Sequence, residues 1–397
     1  MTVLLLVFAA VLLLALLVAL GSSLAHRTIL STAALSLVAG FLLGRGAAGV
    51  VPLTLRDPVV ARLAGLALFL VLFSAGVRVS RADPRTTTRV PGRILTWGLP
   101  LTFVIVTLLA RFLVGLGWVE SLLAGAILAP TDPVLAAAVA GNKRVPDRLR
   151  DLLNRESGAN AIVAPSIVLV LAIAVGAARH GLPELALGLV GGAAIGIALP
   201  RLAIWIRRTR LFAESTPFEP LHVLLVGLVV LVTSTVTHAN PYMAAFAAGI
   251  TIARAEVRRH ETLNRFAELT ANRTELAALL IIGAMISIPV LTGIGWRAWL
   301  FAALVLVAVR PVALGAALWR SGLPAREQLV VMWLGPKGFI PLVYGVLILQ
   351  SGLDGAQPLF NILAAASLVS ILAHSATDVL LSHYLDAGPA ATTPGES

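Results

Sequence analysis

The chain has 397 residues, of which 58% are hydrophobic and only 12% charged, with a mean hydropathy of +0.95 and a formal net charge of +11. That much apolar surface exceeds what a core of this length can hide, so a soluble globular protein is excluded and the sequence reads as an integral membrane protein. There is no cysteine, which excludes disulfides and thiol chemistry.

Apolar runs near the length of about 20 residues that a spanning helix needs recur from end to end. Thirteen segments are predicted, at residues 3–24, 29–50, 60–80, 92–115, 118–141, 150–178, 183–206, 220–237, 241–254, 270–292, 296–319, 327–351 and 358–384. The runs are unbroken and not alternating, which excludes a β-barrel. The first segment has no basic n-region before it and is expected to be a retained helix, not a cleaved signal peptide. The closing "DAGPAATTPGES" predicts a disordered tail over 387–397, with no soluble module expected after it.

The basic residues are distributed by side. With the N-terminus outside, the inner loops hold twenty, from Arg27 through Arg78, Arg81, Arg85, Lys143, Arg144 and Arg207 to Arg326. The outer loops hold six, namely Arg45, Arg56, Arg62, Arg111, Arg179 and Arg297. This asymmetry predicts an N-terminus outside and a C-terminus in the cytoplasm, in a multi-pass plasma (inner) membrane protein. It also accounts for the net charge through contact with anionic lipid, so no nucleic-acid partner is expected.

Two segments carry breaks. In segment 5, "ILAPTDPVLA" places Pro130 and Pro133 around Thr131 and Asp132. In segment 12, "WLGPKGFIPLVYG" places Gly335, Pro336, Gly338 and Pro341 around Lys337. Each proline removes a backbone donor and leaves carbonyls unpaired, which is tolerated at membrane depth only around a buried or watery cavity. Segments 5 and 12 are each fifth in a set of six, a pairing that points to a secondary transporter with inverted repeats and a binding site where the breaks cross. Two half-helix N-termini and two C-termini meet at such a crossing. Asp132 neutralises the first pair and Lys337 the second. Thr131 and the freed carbonyls near it are oxygen donors suited to a hard cation.

These stretches also carry a resemblance. "LFSAG" (Leu72 to Gly76), "APTDP", "NRESGAN", "VRPVAL" (Val309 to Leu314) and "GPKGFIPLVYG" occur in the order seen in the monovalent cation/proton antiporters, in the sodium/proton exchanger branch with an Asn-Asp motif. The resemblance runs from segment 2 to segment 13. It implies an all-α polytopic membrane protein of about 13 transmembrane helices, with inverted repeats and two crossed broken helices. It further implies a scaffold and dimerisation unit at 1–91 and 183–294, and a mobile core at 92–182 and 295–386. It implies a homodimer exchanging Na+, Li+ or K+ for H+ by an elevator-like movement, with no cofactor.

The sequence departs from that family at one position. The residue after Asn160 is the aspartate that binds cation and proton in turn in the family, and here it is Ala161. Alanine offers neither proton nor oxygen. Glu156 and Asn160 are four apart and share a helix face, with Ser157 on the neighbouring face. The ion-binding and proton-coupling candidates are therefore Thr131, Asp132, Glu156, Ser157 and Asn160, with Thr131, Ser157 and Asn160 as the cation's oxygen ligands. Glu156 is the preferred remaining proton carrier, unless it pairs with Arg310 or Lys337, which are expected to organise charge in the core.

Other polar residues read as structural. His374 and Asp378 are four apart on segment 13, as a proton relay or, more simply, a helix-helix contact. Arg273 and Glu275 open segment 10 and, being two apart, bind elsewhere. "GLVGGAAIG" is small-residue packing and not a phosphate loop. No HExxH, GxSxG or Cys/His cluster is present, so an enzyme is not expected. Ala161 also admits an alternative, a divergent member without coupled exchange that acts as a leak pathway, a carrier of a different solute or a non-transporting membrane protein.

Overall fold

A computed structural model describes residues 31–45, 49, 54–79, 89–132, 149, 152, 156, 182–207, 219–255 and 260–386. Expected segments 1 and 6 lie outside the described residues, apart from Leu152 and Glu156 in the latter. Every regular element among the described residues is helical, as a polytopic membrane fold requires when each backbone donor must be satisfied within its own segment.

In chain order these are α1 (Thr32–Leu43), α2 (Pro58–Val79), α3 (Arg89–Arg93 continuing through Leu99–Leu109 to Val114), α4 (Trp118–Leu128), α5 (Leu182–Arg207), α6 (Glu219–Val236), α7 (Pro241–Ala255), α8 (His260–Met285), α9 (Ile288–Gly293), α10 (Trp296–Leu304 continuing through Arg310–Leu318), α11 (Ala325–Trp333), α12 (Ile340–Gln350) and α13 (Ala356–Asp386). Among the described residues, five stretches are long and apolar enough to cross a bilayer: Pro58–Val77, Ile94–Val114, Ala186–Ile206, Trp296–Leu318 and Ala356–Thr377. Two π turns prepare for prolines. Ile94–Gly98 precedes Pro100 and Val305–Val309 precedes Pro311, so the helix widens where a ring would otherwise meet the preceding carbonyl.

Three boundaries differ from expectation. The expected 29–50 helix stops at Leu43, because Gly44 leaves helical geometry. Segment 12 is two helices, α11 and α12, with Leu334–Gly338 non-helical between them. Segment 10, expected over 270–292, starts ten residues earlier at His260 and ends at Met285, with α9 restarting past Ser287. The polar run "HETLNRFAELTANRTE" depresses hydropathy there without preventing a helix, since it contains neither glycine nor proline.

The helices pack in two groups. In the first, α8 lies on α1 and α2, and α7 lies on α2, α5 and α6. The α1–α8 crossing is close enough that a side chain on Gly40 or Gly44 would strike the backbone of α8 at Leu280 or Ala284. On α5, Gly192 and Gly196 lie equally tightly against the α7 region at Asn240 and Ala244, the small-residue packing read from "GLVGGAAIG". In the second group, α3 packs on α4 and α10, and α13 packs on α10 and α12. Contact of α12 with α2 joins the groups, and Phe339, Leu342, Val343 and Val346 share one buried apolar cluster with Phe69, Leu72, Leu279 and Ile282. Exposed apolar residues such as Leu187, Val190, Val229 and Val232 line the outer faces of α5 and α6, the composition a lipid-facing surface needs.

Candidate functional site

Pro130 ends α4, whose last helical residue is Leu128 with Ala129 as a still right-handed cap, and the chain runs on through Thr131 and Asp132 outside the helix. In the facing segment α11 ends at Trp333, and α12 begins at Ile340 with Pro341 in its first turn. The two breaks touch. The Asp132 amide donates to the Pro336 carbonyl at 3.0 Å, and the Lys337 Nζ donates to the carbonyls of Ala129 at 3.2 Å and Pro130 at 3.0 Å. Lys337 therefore closes the C-terminal end of α4, where the helix dipole and bare carbonyls favour a cation.

A second cation closes the other broken helix. Arg310, on α10, directs its Nη2 to the carbonyls of Val331 at 3.2 Å and Leu334 at 2.9 Å, at the end of α11. The same nitrogen lies 2.7 Å from Glu156 Oε1, an ion pair between side chains that are 8% and 4% exposed. Removing both partners from water costs several kcal/mol each, and the short contact and the carbonyls offset that cost. Glu156 thus has a structural partner, which bears on which acid is available to exchange.

Glycine is required where the breaks meet side chains. A Cβ on Gly335 would collide with the Arg310 guanidinium, and one on Gly338 would collide with the Asp132 carboxylate. Glycine at 335 and 338 thus leaves the room that lets Arg310 and Asp132 lie against this backbone. Around it, the Lys337 amide donates to Ser370 Oγ at 2.7 Å. His374 bridges α13 to α11, with Nδ1 2.8 Å from the Ser370 carbonyl and Nε2 3.0 Å from the Trp333 carbonyl. Its ring also stacks obliquely on Trp333, centroids 5.5 Å apart. This is a helix-helix contact, and the Asp378 side chain lies outside the described residues.

Thr131 and Asp132 are both buried in the break, with Glu156, Arg310 and Lys337 buried around it. Lys337 is within electrostatic reach of Arg310, Glu156 and Asp132, so these charges form one group. Ser157, Asn160 and Ala161 lie outside the described residues. Arg273 and Glu275 part company, since Arg273 is exposed while Glu275 is 1% exposed and within electrostatic reach of Asp132. Sequence reasoning set Glu275 aside as a helix-start residue. The signal that marks it is its position in the stripe Ala271, Glu275, Ala278, Leu279, Ile282, where every other member is a buried apolar residue.

Comparison with known proteins gives a consistent setting. A family described as "Sodium/hydrogen exchanger, transmembrane" matches residues 12–381. The K(+)/H(+) antiporter NhaP of Alkalimonas amylolytica is 26% identical over 345 residues, covering 85% of this chain and 59% of that protein. The K(+)/H(+) antiporter NhaP2 of Shewanella sp. (strain ANA-3) is 26% identical over 326 residues, covering 79% of this chain and 56% of that protein. The chain thus spans somewhat over half the length of these curated relatives. The solved structure of the sodium proton antiporter MjNhaP1 from Methanocaldococcus jannaschii at pH 8 superposes with a TM-score of 0.71 at 17% identity, covering 94% of this chain and 99% of that one.

Proposed function

The chain belongs to the sodium/hydrogen exchanger family, and we propose that it is a secondary active transporter exchanging a monovalent cation, Na+, Li+ or K+, for H+ across the membrane. The observation that carries this reading is the crossing itself, where two broken helices meet at a buried aspartate with both exposed helix ends already closed by basic side chains. A cation at this crossing meets the Thr131 hydroxyl and the Asp132 carboxylate, with Ser157 and Asn160 as further oxygen donors from the following segment. Asp132 is the exchanging acid in this reading. A buried carboxylate is neutralised by a cation or a proton, and competition between the two at one site is the exchange. Glu156 is committed to Arg310, a pairing that favours a structural role.

Alternating access follows an elevator-like path, with 92–182 and 295–386 as the mobile core and 1–91 and 183–294 as the scaffold of a homodimer. The separate packing of α3, α4, α10 and α13 against one another supports this division. The N-terminus is outside and the C-terminus cytoplasmic, and the surplus of inner basic residues faces anionic lipid. Its work is transport without covalent chemistry.

The test is cation-induced proton movement in acidified everted vesicles or proteoliposomes, with NaCl, LiCl and KCl added in turn, beside Ala161→Asp. Dissipation of the proton gradient by the unaltered chain is expected. Silence with all three salts, with activity appearing only in Ala161→Asp, overturns it in favour of the second reading. Ala161 motivates that reading: a family fold that has lost coupled exchange and serves as a leak pathway, a carrier of another solute or a non-transporting protein.

A further inference from the structure

The stretch 334–338 between α11 and α12 has little conformation of its own. Pro336 brings no backbone donor, and Gly335 and Gly338 leave the backbone freer than other residues would. Its geometry is therefore set by what bonds it from outside. Arg310 holds the Leu334 carbonyl at 2.9 Å and the Asp132 amide holds the Pro336 carbonyl at 3.0 Å, both from within the crossing itself. Two further bonds come from α13, at either end of the stretch.

Ser370, His374 and Thr377 are spaced four and three apart, so they share one face of α13. Ser370 Oγ accepts the Lys337 amide at 2.7 Å, and His374 Nε2 lies 3.0 Å from the Trp333 carbonyl. A carbonyl only accepts, so Nε2 carries a proton whatever the charge of the ring. The other nitrogen, Nδ1, lies 3.2 Å from Ser370 Oγ and 2.8 Å from the Ser370 carbonyl, which ties the two residues into one unit. Both are buried, at 1% and 4% exposure, where an unmade hydrogen bond has no ready replacement. Thr377 differs. Its Oγ1 accepts the Trp333 indole N–H at 3.0 Å, a contact with a side chain and not with the backbone of the break.

We propose that Ser370 and His374 are positioning residues of the cation site, gripping the broken segment at Lys337 and Trp333 and so fixing the Pro336 carbonyl that lies between. The inference rests on the reading of this crossing as the exchange site. Neither residue touches the cation; both act through backbone. A break free to shift at either end carries the Pro336 carbonyl away from the Asp132 amide and the Lys337 ammonium away from the Ala129 and Pro130 carbonyls. Asp132 then loses the orientation that a cation requires. The grip also travels with the site, because α11, α12 and α13 all fall within 295–386, the proposed mobile core.

The experiment is equilibrium binding of NaCl, LiCl and KCl to the purified full chain by calorimetry at constant ionic strength, with thermal unfolding of each protein. The variants are His374→Phe, His374→Gln, Ser370→Ala and Thr377→Val. Phenylalanine keeps a ring against Trp333 and removes both nitrogens, whereas glutamine restores an N–H that reaches the same carbonyl. The expected result is cation binding about tenfold weaker in His374→Phe and Ser370→Ala, recovery to within about threefold of the unaltered chain in His374→Gln, and unchanged affinity in Thr377→Val. Unchanged affinity in either His374→Phe or Ser370→Ala overturns the inference, even with a lower unfolding temperature, since the contact then only holds helices together; the exchange reading is left standing. An equal loss in Thr377→Val overturns it too, because packing of α13 on α11 then accounts for the effect. Where His374→Phe fails to fold, Ser370→Ala decides by the same criterion. If the unaltered chain binds no cation, both the inference and the exchange reading fall. If it binds but moves no protons in proteoliposomes, the exchange reading falls and the variants' affinities still decide the positioning role.

Discussion

The two broken helices end on the same kind of bare carbonyl, and each is closed by a basic side chain, but the two closures differ in what else the cation holds. At the end of α11, Arg310 spans the Val331 and Leu334 carbonyls and is tied at 2.7 Å to Glu156. At the end of α4, Lys337 holds the Ala129 and Pro130 carbonyls, and the buried Asp132 follows two residues on in the same break. The Arg310 end is a closed, neutral fixture. The Lys337 end leads directly into the buried Asp132, the carboxylate that the exchange reading needs. In the exchange reading, one helix-breaking device thus serves structure at one end and ion handling at the other.

That contrast is open to attack in order of size. Arg310→Met leaves Glu156 buried without a partner and is expected to cost about 3–5 kcal/mol, read as a large fall in unfolding temperature. The double variant Arg310→Met, Glu156→Met is expected to recover much of it, and a cycle with no coupling between the two positions would break the picture of a fixed pair. Lys337→Met strips two carbonyls of their donor, for which about 1–3 kcal/mol is expected, less than at Arg310 because no ion pair of Lys337 is present among the described residues. A loss larger than that of Arg310→Met would reverse the comparison.

Gly338→Ala drives a methyl into the Asp132 carboxylate, so about 1–3 kcal/mol of stability and a several-fold rise in the cation concentration for half-maximal exchange are expected. Its control is Gly315→Ala on α10, where the added methyl meets only the end of Met332 at 3.5 Å. There stability should be unchanged or improve by up to about 1 kcal/mol, since alanine favours a helix interior. Equal effects at the two glycines, measured by thermal unfolding and proton flux, would show that the Asp132 contact has no special importance.

Much of this was legible because prolines and charges interrupt apolar runs only where something unusual happens. Pro130 and Pro336 located both breaks, and Lys337 and Asp132 could be assigned to helix ends from dipole reasoning. What remained hidden was partnership across the chain. The resemblance offered Arg310 or Lys337 as a partner for Glu156, but nothing in "VRPVAL" indicates that Arg310 is the one, or that it also reaches the end of α11, 21 residues on at Val331. Glu275 was missed for a different reason: the polar turns preceding it lowered local hydropathy, the helix start was placed at 270 and not 260, and a mid-helix acid looked like a terminal one. Ser157, Asn160 and Ala161 lie outside the described residues, so their part rests on the family motif alone.

The most direct measurement reconstitutes the full chain, Asp132→Asn and Glu156→Gln in identical proteoliposomes and follows proton movement on addition of Na+, Li+ or K+, normalised to folded protein. The expected result is exchange by the unaltered chain, a loss of at least about a hundredfold in Asp132→Asn, roughly the loss of ~2.7 kcal/mol, and retained cation dependence in the folded fraction of Glu156→Gln. Exchange that survives Asp132→Asn and disappears in Glu156→Gln would contradict the account and make the Arg310 end the working one.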